Sequence, residues 1–272
     1  MKETAANPLT GKGDAAAMPL EIVTIPCRSD NYAYLLHETD TGTTAVVDAP
    51  EAAPIAQALD ARGWGLDEIL ITHHHADHVD GVAALRERYG ARVVGAEVDR
   101  RRLPPLDLAV KDGDPVAVGG STAYVMDASG HTVGHIAYHF ADADALFAAD
   151  SLMVMGCGRV FEGTPEMMWD TLTRLAALPP GTRLYSGHEY TESNLRFALS
   201  LGEPDAALAE RAEAIRAARA RGKPTMGPTL AEERRANPFL RAADPDMKAR
   251  VGMADASDAA VFAELRRRKD AF

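Results

Sequence analysis

The run Thr72-His73-His74-His75-Ala76-Asp77-His78 puts four histidines into six consecutive positions. Imidazole and carboxylate donors suit zinc, iron or manganese, and the lack of thiolates in the run argues against a structural Cys-type zinc site. In an extended segment, residues i and i+2 project to the same side. His73 and His75 can therefore converge on one ion while His74 points away. Asp77 and His78 begin a turn, where a change of chain direction can aim them at a second ion nearby. Three further residues lie just past apolar runs: His131 after STAYVMDASG, Asp150 at the end of DALFAAD, and His188 at the end of TRLYSG. This is where an α/β protein carries its chemistry. Each follows a small residue, Gly130, Ala149 or Gly187, which permits close backbone approach to a site. Taken singly, each reads as a surface or satisfied core residue. Together with the histidine run they predict a two-metal site.

The elements that must position these groups are short β runs alternating with helical stretches. Glu21–Ile25, Tyr32–Leu36 and Thr44–Asp48 read as strands between polar turns. Ile55, Ala56 and Leu59 share one face of a helix. A β run, Ile69–Thr72, leads into the histidines, followed by a helical VDGVAALRERYG. ARVVGAE, STAYVMDAS, HIAYHF and DALFAAD read as strands, Pro165–Leu178 as a helix and Thr182–Gly187 as a last strand. After Tyr190 the pattern is helical: Thr191–Leu201, Pro204–Ala220, Leu230–Asn237 and Asp258–Lys269, with breaks at GKPTMGPT and ADPD. The expected organisation is a small, polar, disordered leader over 1–17, with Met18 as an alternative start, an α/β catalytic domain over 18–190, and an α-helical substrate-binding domain over 191–272.

Composition narrows the function classes. The chain has 272 residues and 46% hydrophobic content, enough for a sizeable core. Nowhere does it hold the roughly 18 uninterrupted apolar residues of a membrane span. Two cysteines cannot build a disulfide framework, which fits a reducing cytoplasm. A net charge of −11 argues against nucleic acid as a partner. The charge is uneven: 15 basic and 13 acidic residues after position 190 leave −13 on the first 190.

The motifs THHHADH, HTVGH, a strand-ending Asp150 and a later GHE resemble the metallo-β-lactamase superfamily. Within it, GCGRVFEGT (Gly156–Thr164), SGHEYTESNLRFA (Ser186–Ala198), ANPFLR (Ala236–Arg241) and RRRKDAF (Arg266–Phe272) resemble glyoxalase II, the hydroxyacylglutathione hydrolases. The resemblance runs from near Leu20 to the C terminus. It implies an α+β, four-layer αβ/βα sandwich with a C-terminal α-helical domain covering the substrate cleft. It also implies two divalent cations, zinc before iron or manganese: one held by His73, His75 and His131, the other by Asp77, His78 and His188. Asp150 would bridge them beside a water or hydroxide, making Asp77 and Asp150 the catalytic carboxylates. Arg159, Phe161, Tyr190, Arg266 and Lys269 match substrate-contacting positions. Many relatives have Tyr where this chain has Phe161, which removes one hydroxyl.

The implied reaction is hydrolysis of an S-2-hydroxyacylglutathione such as S-lactoylglutathione, with a place in methylglyoxal detoxification. Two cations can lower the pKa of a water and polarise the carbonyl. A thiolate, with a thiol pKa of about 8.5, departs without a strong general acid, and no G-x-S-x-G is present to support a serine triad. The expected partner is a small glutathione thioester, not nucleic acid or membrane, and the expected state is a monomer or weak homo-oligomer. The alternative is a mononuclear iron persulfide dioxygenase of the same superfamily. A metallonuclease or phosphodiesterase is disfavoured by the acidic balance, and a metal-free binding module would be exposed by metal analysis. His74 reads as a hydrogen bonder beside the site and His135 as a supporting or packing residue. His37, His139, Trp64, Trp169 and Cys157 read as structural, and Arg267 and Arg268 as solvated or structural.

Overall fold

The computed structural model describes residues 20–272; the leader expected over 1–17 lies outside the described residues. Six strands form a first sheet in chain order: β1 (Leu20–Cys27), β2 (Asn31–Glu38), β3 (Thr44–Val47), β4 (Glu68–Leu70), β5 (Arg92–Ala96) and β6 (Leu108–Val110). The first three pair antiparallel, the rest parallel. Parallel neighbours need long crossovers. Helix α1 (Ala52–Arg62) supplies one, and the short α2 (Ala76–Val79) with α3 (Val82–Tyr89) supplies the next. Ile55, Ala56 and Leu59 form the buried face of α1, as their spacing predicts.

The second sheet begins with an antiparallel run, β7 (Pro115–Val118), β8 (Ser121–Asp127), β9 (Ile136–Phe140) and β10 (Ala145–Ala149). A small hairpin of β11 (Leu152–Met153) and β12 (Gly156–Cys157) follows, then α4 (Pro165–Ala176). Thr164 caps α4 by accepting from the Met167 N–H, and Pro165 takes a first-turn position where no N–H is needed. Strand β13 (Arg183–Ser186) then closes the sheet parallel to β10.

The side-chain period of a strand sorts the second sheet between two cores. Tyr138 of β9 and Phe147 of β10 join one buried cluster with Leu35, Val46, Ile69 and Val94 of the first sheet, Ile55 and Leu59 of α1 and Val82 and Leu85 of α3. Phe147 packs on Tyr34 across the two sheets. Ala137, Leu146, Ala148 and Leu184 face the other way, onto Leu172 and Leu175 of α4 and onto Phe197, Phe239 and Phe262 of the C-terminal segment. The result is the αβ/βα arrangement with a helical tail. That tail comprises α5 (Thr191–Ser200), α6 (Ala206–Ala220), α7 (Leu230–Ala236), α8 (Pro245–Val251) and α9 (Asp258–Asp270). It is stitched to the β11–β12 hairpin by buried polar groups. Glu233 accepts from the Met155 N–H at 2.7 Å, and Asn237 Nδ2 donates to the Met153 and Gly156 carbonyls at 3.2 and 3.0 Å.

Some boundaries differ from the pattern. ADPD reads as a break but starts α8: Asp244 accepts from the Asp246 N–H, and Pro245 opens the helix. Strand β3 stops before Asp48, whose φ of 55° leaves the extended region. Strand β4 stops before Thr72, which donates its N–H to Asp48 Oδ1 at 2.9 Å and accepts from the Ile136 N–H at 2.9 Å. That last bond joins the two sheets. A second seam, Tyr32 N–H to the Gly187 carbonyl at 2.8 Å, joins them again beside His188. The site lies between these seams. No helix among the described residues is long and apolar enough to cross a membrane.

Candidate metal centre

The segment after β4 carries His73 to His78, the β8–β9 turn carries His131, Asp150 follows β10 and His188 follows β13. The fold brings six of the seven expected donors together in two triads: His73, His75 and His131, and Asp77, His78 and His188. In the first, His75 Nδ1 lies 3.1 Å from His73 Nε2 and 3.0 Å from His131 Nε2. In the second, His188 Nε2 lies 3.3 Å from His78 Nε2 and 3.4 Å from Asp77 Oδ2. Asp150 stands between them. Its Oδ2 is 3.5 Å from His131 Nε2 and 3.3 Å from His188 Nε2, and its Oδ1 is 3.6 Å from His78 Nε2.

Close approach is possible because two neighbours lack side chains. A Cβ on Gly187 would meet Asp150 Oδ1 at 2.3 Å, and one on Gly158 would meet the Asp150 carbonyl oxygen at 1.9 Å. Ala149, expected to act in the same way, instead turns the chain with a φ of 40°.

The outer nitrogens of four imidazoles are already committed. His78 Nδ1 donates to Asp48 Oδ2, His188 Nδ1 to Asp30 Oδ1 and His131 Nδ1 to the Arg159 carbonyl, each at 2.8 Å. His73 Nδ1 donates to Thr72 Oγ1 at 3.0 Å, since that hydroxyl gives its own proton to Asp48 Oδ2. With Nδ1 protonated, each Nε2 presents a lone pair inward. The Nε2 atoms of His78 and His188 converge at 3.3 Å, where two lone pairs repel unless a proton or a metal cation lies between them. Asp150 Oδ1, buried with no hydrogen-bond partner, makes the same demand. The donors present therefore fit divalent cations.

The electrostatics differ between the two triads. Burial, reinforced by neighbouring histidines, pushes His73 and His75 below the usual imidazole range, and burial pushes His131 down as well. All three are held neutral, as ligands must be. Burial opposes charge on His78 and His188 too, but Asp150, joined by Asp48 at His78 and by Asp30 at His188, outweighs it and raises both, so a cation binding there would displace a proton. Asp150 itself, against the effect of its burial, is held well below the carboxylate range by His188 and His78.

Five of the donors, His75, Asp77, His131, Asp150 and His188, line a cavity of about 630 Å³ together with Arg159, Phe161, Tyr190, Arg266 and Lys269. Phe161 sets its ring edge-on to His75 and His131, with centroids at 5.8 and 5.2 Å. Tyr190 stacks on His188 at 4.7 Å. His74 turns away from both triads to Asp99, 3.1 Å from its Nδ1. His135 stacks on His73 at 4.6 Å and accepts the Asp150 N–H at 3.3 Å.

Residues 29–188 match the Metallo-beta-lactamase superfamily, and residues 189–272 match the Hydroxyacylglutathione hydrolase C-terminus. A curated hydroxyacylglutathione hydrolase from Ruegeria pomeroyi is 61% identical over 94% of this chain and all of its own length. The chain belongs to the hydroxyacylglutathione hydrolase family. A Cereibacter sphaeroides hydroxyacylglutathione hydrolase is 59% identical with the same coverage. Among solved structures, ETHE1 from Myxococcus xanthus superposes with a TM-score of 0.62 at 26% identity, covering 92% of this chain and 89% of its own.

Several residues of the site escaped the sequence reading. Asp48 ends the apolar run TAVVD just as Asp150 ends DALFAAD, so the same signal was present and went unused. Asp30 carries no pattern of its own, and Arg196 lies within SGHEYTESNLRFA without standing out there; both join the site because β2 and α5 start beside β13.

Proposed function

We propose that this chain hydrolyses the thioester of an S-2-hydroxyacylglutathione, S-lactoylglutathione being the substrate to test, to a 2-hydroxy acid and glutathione. The observation that carries the reading is the pair of triads with Asp150 between them in a cavity that cationic side chains also line. His73, His75 and His131 would hold one cation, and Asp77, His78 and His188 the other. Zinc is the first candidate and iron or manganese the alternatives. When bound, such cations lower the pKa of a water and stabilise negative charge developing on the carbonyl oxygen.

The chain's own residues do the rest. Asp48, Asp30, Thr72 and the Arg159 carbonyl orient four of the five imidazole donors, His78, His188, His73 and His131. Asp150, buried and ionised, supplies the shared negative charge. Asp77 is partly exposed to the cavity, with its Oδ2 accepting from Asn31 Nδ2 at 3.1 Å, and is the carboxylate placed to take a proton from the attacking water. Phe161 and Tyr190 wall the acyl end against bulk solvent. Arg159, Lys269 and Arg266 bring positive charge to an otherwise acidic body, which an anionic peptide thioester requires. The thiolate leaves without an acid of its own. Cys157 offers no competing nucleophile: burial lifts its thiol to about 11.

The division at Tyr190 belongs to the same reading, with 18–190 catalytic and 191–272 substrate-binding. So do a cytoplasmic location and a monomeric or weakly associated state. The second triad and the C-terminal family match favour the thioesterase over a one-iron dioxygenase. The test follows free-thiol release from S-lactoylglutathione with and without chelator, alongside metal counting. Thiol release that chelator abolishes, with two ions per chain, supports the reading. Oxygen uptake on glutathione persulfide without thioester cleavage, or a single ion per chain in active protein, overturns it.

A further inference from the structure

Four cations, Arg159, Arg196, Arg266 and Lys269, line the cavity that holds the metal donors, with Asp270 beside them. Three are already engaged. Arg266 is buried, donates Nη1 to the Cys157 carbonyl at 2.9 Å, pairs through Nη2 with Asp270 at 2.9 Å and lies 5.1 Å over Phe239. Its role is largely to pin α9 to the β11–β12 hairpin. Lys269 donates to the Ser193 carbonyl at 3.1 Å and to Ser193 Oγ at 2.9 Å, leaving one of its three N–H bonds. Arg159 Nε faces Asp270 at 3.6 Å. Arg196, on the exposed side of α5, has neither a hydrogen bond nor an ion pair among the described residues. Its charge is nonetheless felt across the cavity: after burial and Arg266, it is the next influence lowering Lys269. Four like charges facing one carboxylate repel one another, and a bound anion relieves that repulsion.

We propose that Arg196 binds a second carboxylate of the substrate and so sets the preference for a dicarboxylic thioester. This rests on the thioesterase reading above. Glutathione carries one carboxylate on its glycyl residue and another on its γ-glutamyl residue. The free N–H of Lys269 and the exposed guanidinium of Arg159 can serve one. The unpaired planar fork of Arg196 matches the other in bidentate fashion.

The experiment compares wild type, Arg196→Gln, Arg196→Lys and, as a charge control on the exposed face of α6, Arg216→Gln. Calorimetry with the non-hydrolysable S-methylglutathione is run beside steady-state kinetics on S-lactoylglutathione. Loss of one charge-assisted carboxylate contact predicts about tenfold weaker S-methylglutathione binding and about tenfold higher KM in Arg196→Gln, with kcat unchanged. Arg196→Lys should recover part of the loss, and Arg216→Gln should change neither quantity. Amidating one of the two carboxylates of the thioester should abolish the difference between wild type and Arg196→Gln, while amidating the other should preserve it. Wild-type binding by Arg196→Gln, or an equal penalty for both monoamides and the parent, overturns the assignment. If wild-type protein releases no thiol, the thioesterase reading fails, and the calorimetric comparison still decides whether Arg196 holds a carboxylate.

Discussion

Asp48 Oδ2 accepts the Nδ1 proton of His78 at 2.8 Å, and the same oxygen accepts the Thr72 hydroxyl at 2.8 Å. Because Thr72 in turn receives His73 Nδ1, one carboxylate stands behind a donor of each triad. Asp48 does this from a left-handed backbone conformation, which few side chains tolerate.

Asp48→Asn therefore separates backbone from charge, since Asn accepts a positive φ as readily as Asp. Metal affinity should fall about 10- to 100-fold, and at both sites rather than one. Competition titration against a chromogenic chelator reads this out. Loss of a single ion with the other held at wild-type affinity would show that the two triads are oriented independently.

Asp150→Ala removes the carboxylate between the triads and leaves inward lone pairs with less negative charge to offset a cation. Bound metal should drop below two per chain, and turnover should fall by more than about 100-fold. Elemental analysis paired with kinetics checks both. Near-normal turnover with two ions retained would remove Asp150 from the site chemistry.

Lys269 is held at about 8 by burial first, then by Arg266, Arg196 and Arg159. It is cationic below that value and neutral above it. KM for an anionic thioester should therefore rise between pH 7 and pH 9 with little change in kcat. In Lys269→Arg, which stays charged, the rise should disappear. A KM independent of pH in the wild type would place the substrate's charge elsewhere.

Glu38 closes the far end of the sandwich. It accepts from the Thr41 hydroxyl, from the Asp40 and Thr41 N–H groups at 3.0 Å, and from the Gly120 N–H at 3.1 Å. The Thr41 hydroxyl first, then these amides, lower its carboxyl from 4.5 to about 2. A depressed carboxyl stabilises the fold above its unfolded pKa, and that contribution is lost as pH falls toward the folded value. Glu38→Gln should lower Tm at pH 7, and the gap to wild type should narrow steadily from pH 4.5 toward pH 2. A gap of constant size would mean that shape, not charge, is what Glu38 contributes.

Much of this molecule was open to reading before any coordinates. His73, His75, Asp77 and His78 sit so close in the chain that local geometry alone separates their directions. His131, Asp150 and His188 are marked by strand ends and small neighbours. The helical tail shows as periodicity, and the motifs around Arg159, Tyr190 and Lys269 point to one anionic substrate. What required the tertiary structure is every relationship between groups far apart in the chain. Asp48 with His78, Asp30 with His188, the engagement of Arg266 by Cys157 and Asp270, and the lack of a partner for Arg196 among the described residues all depend on which strand ends and helices meet at one edge of the sandwich. Residue type and spacing state what a side chain can offer. Whether that offer is taken up by the protein or left for a ligand is decided by packing between distant segments, which no local pattern encodes.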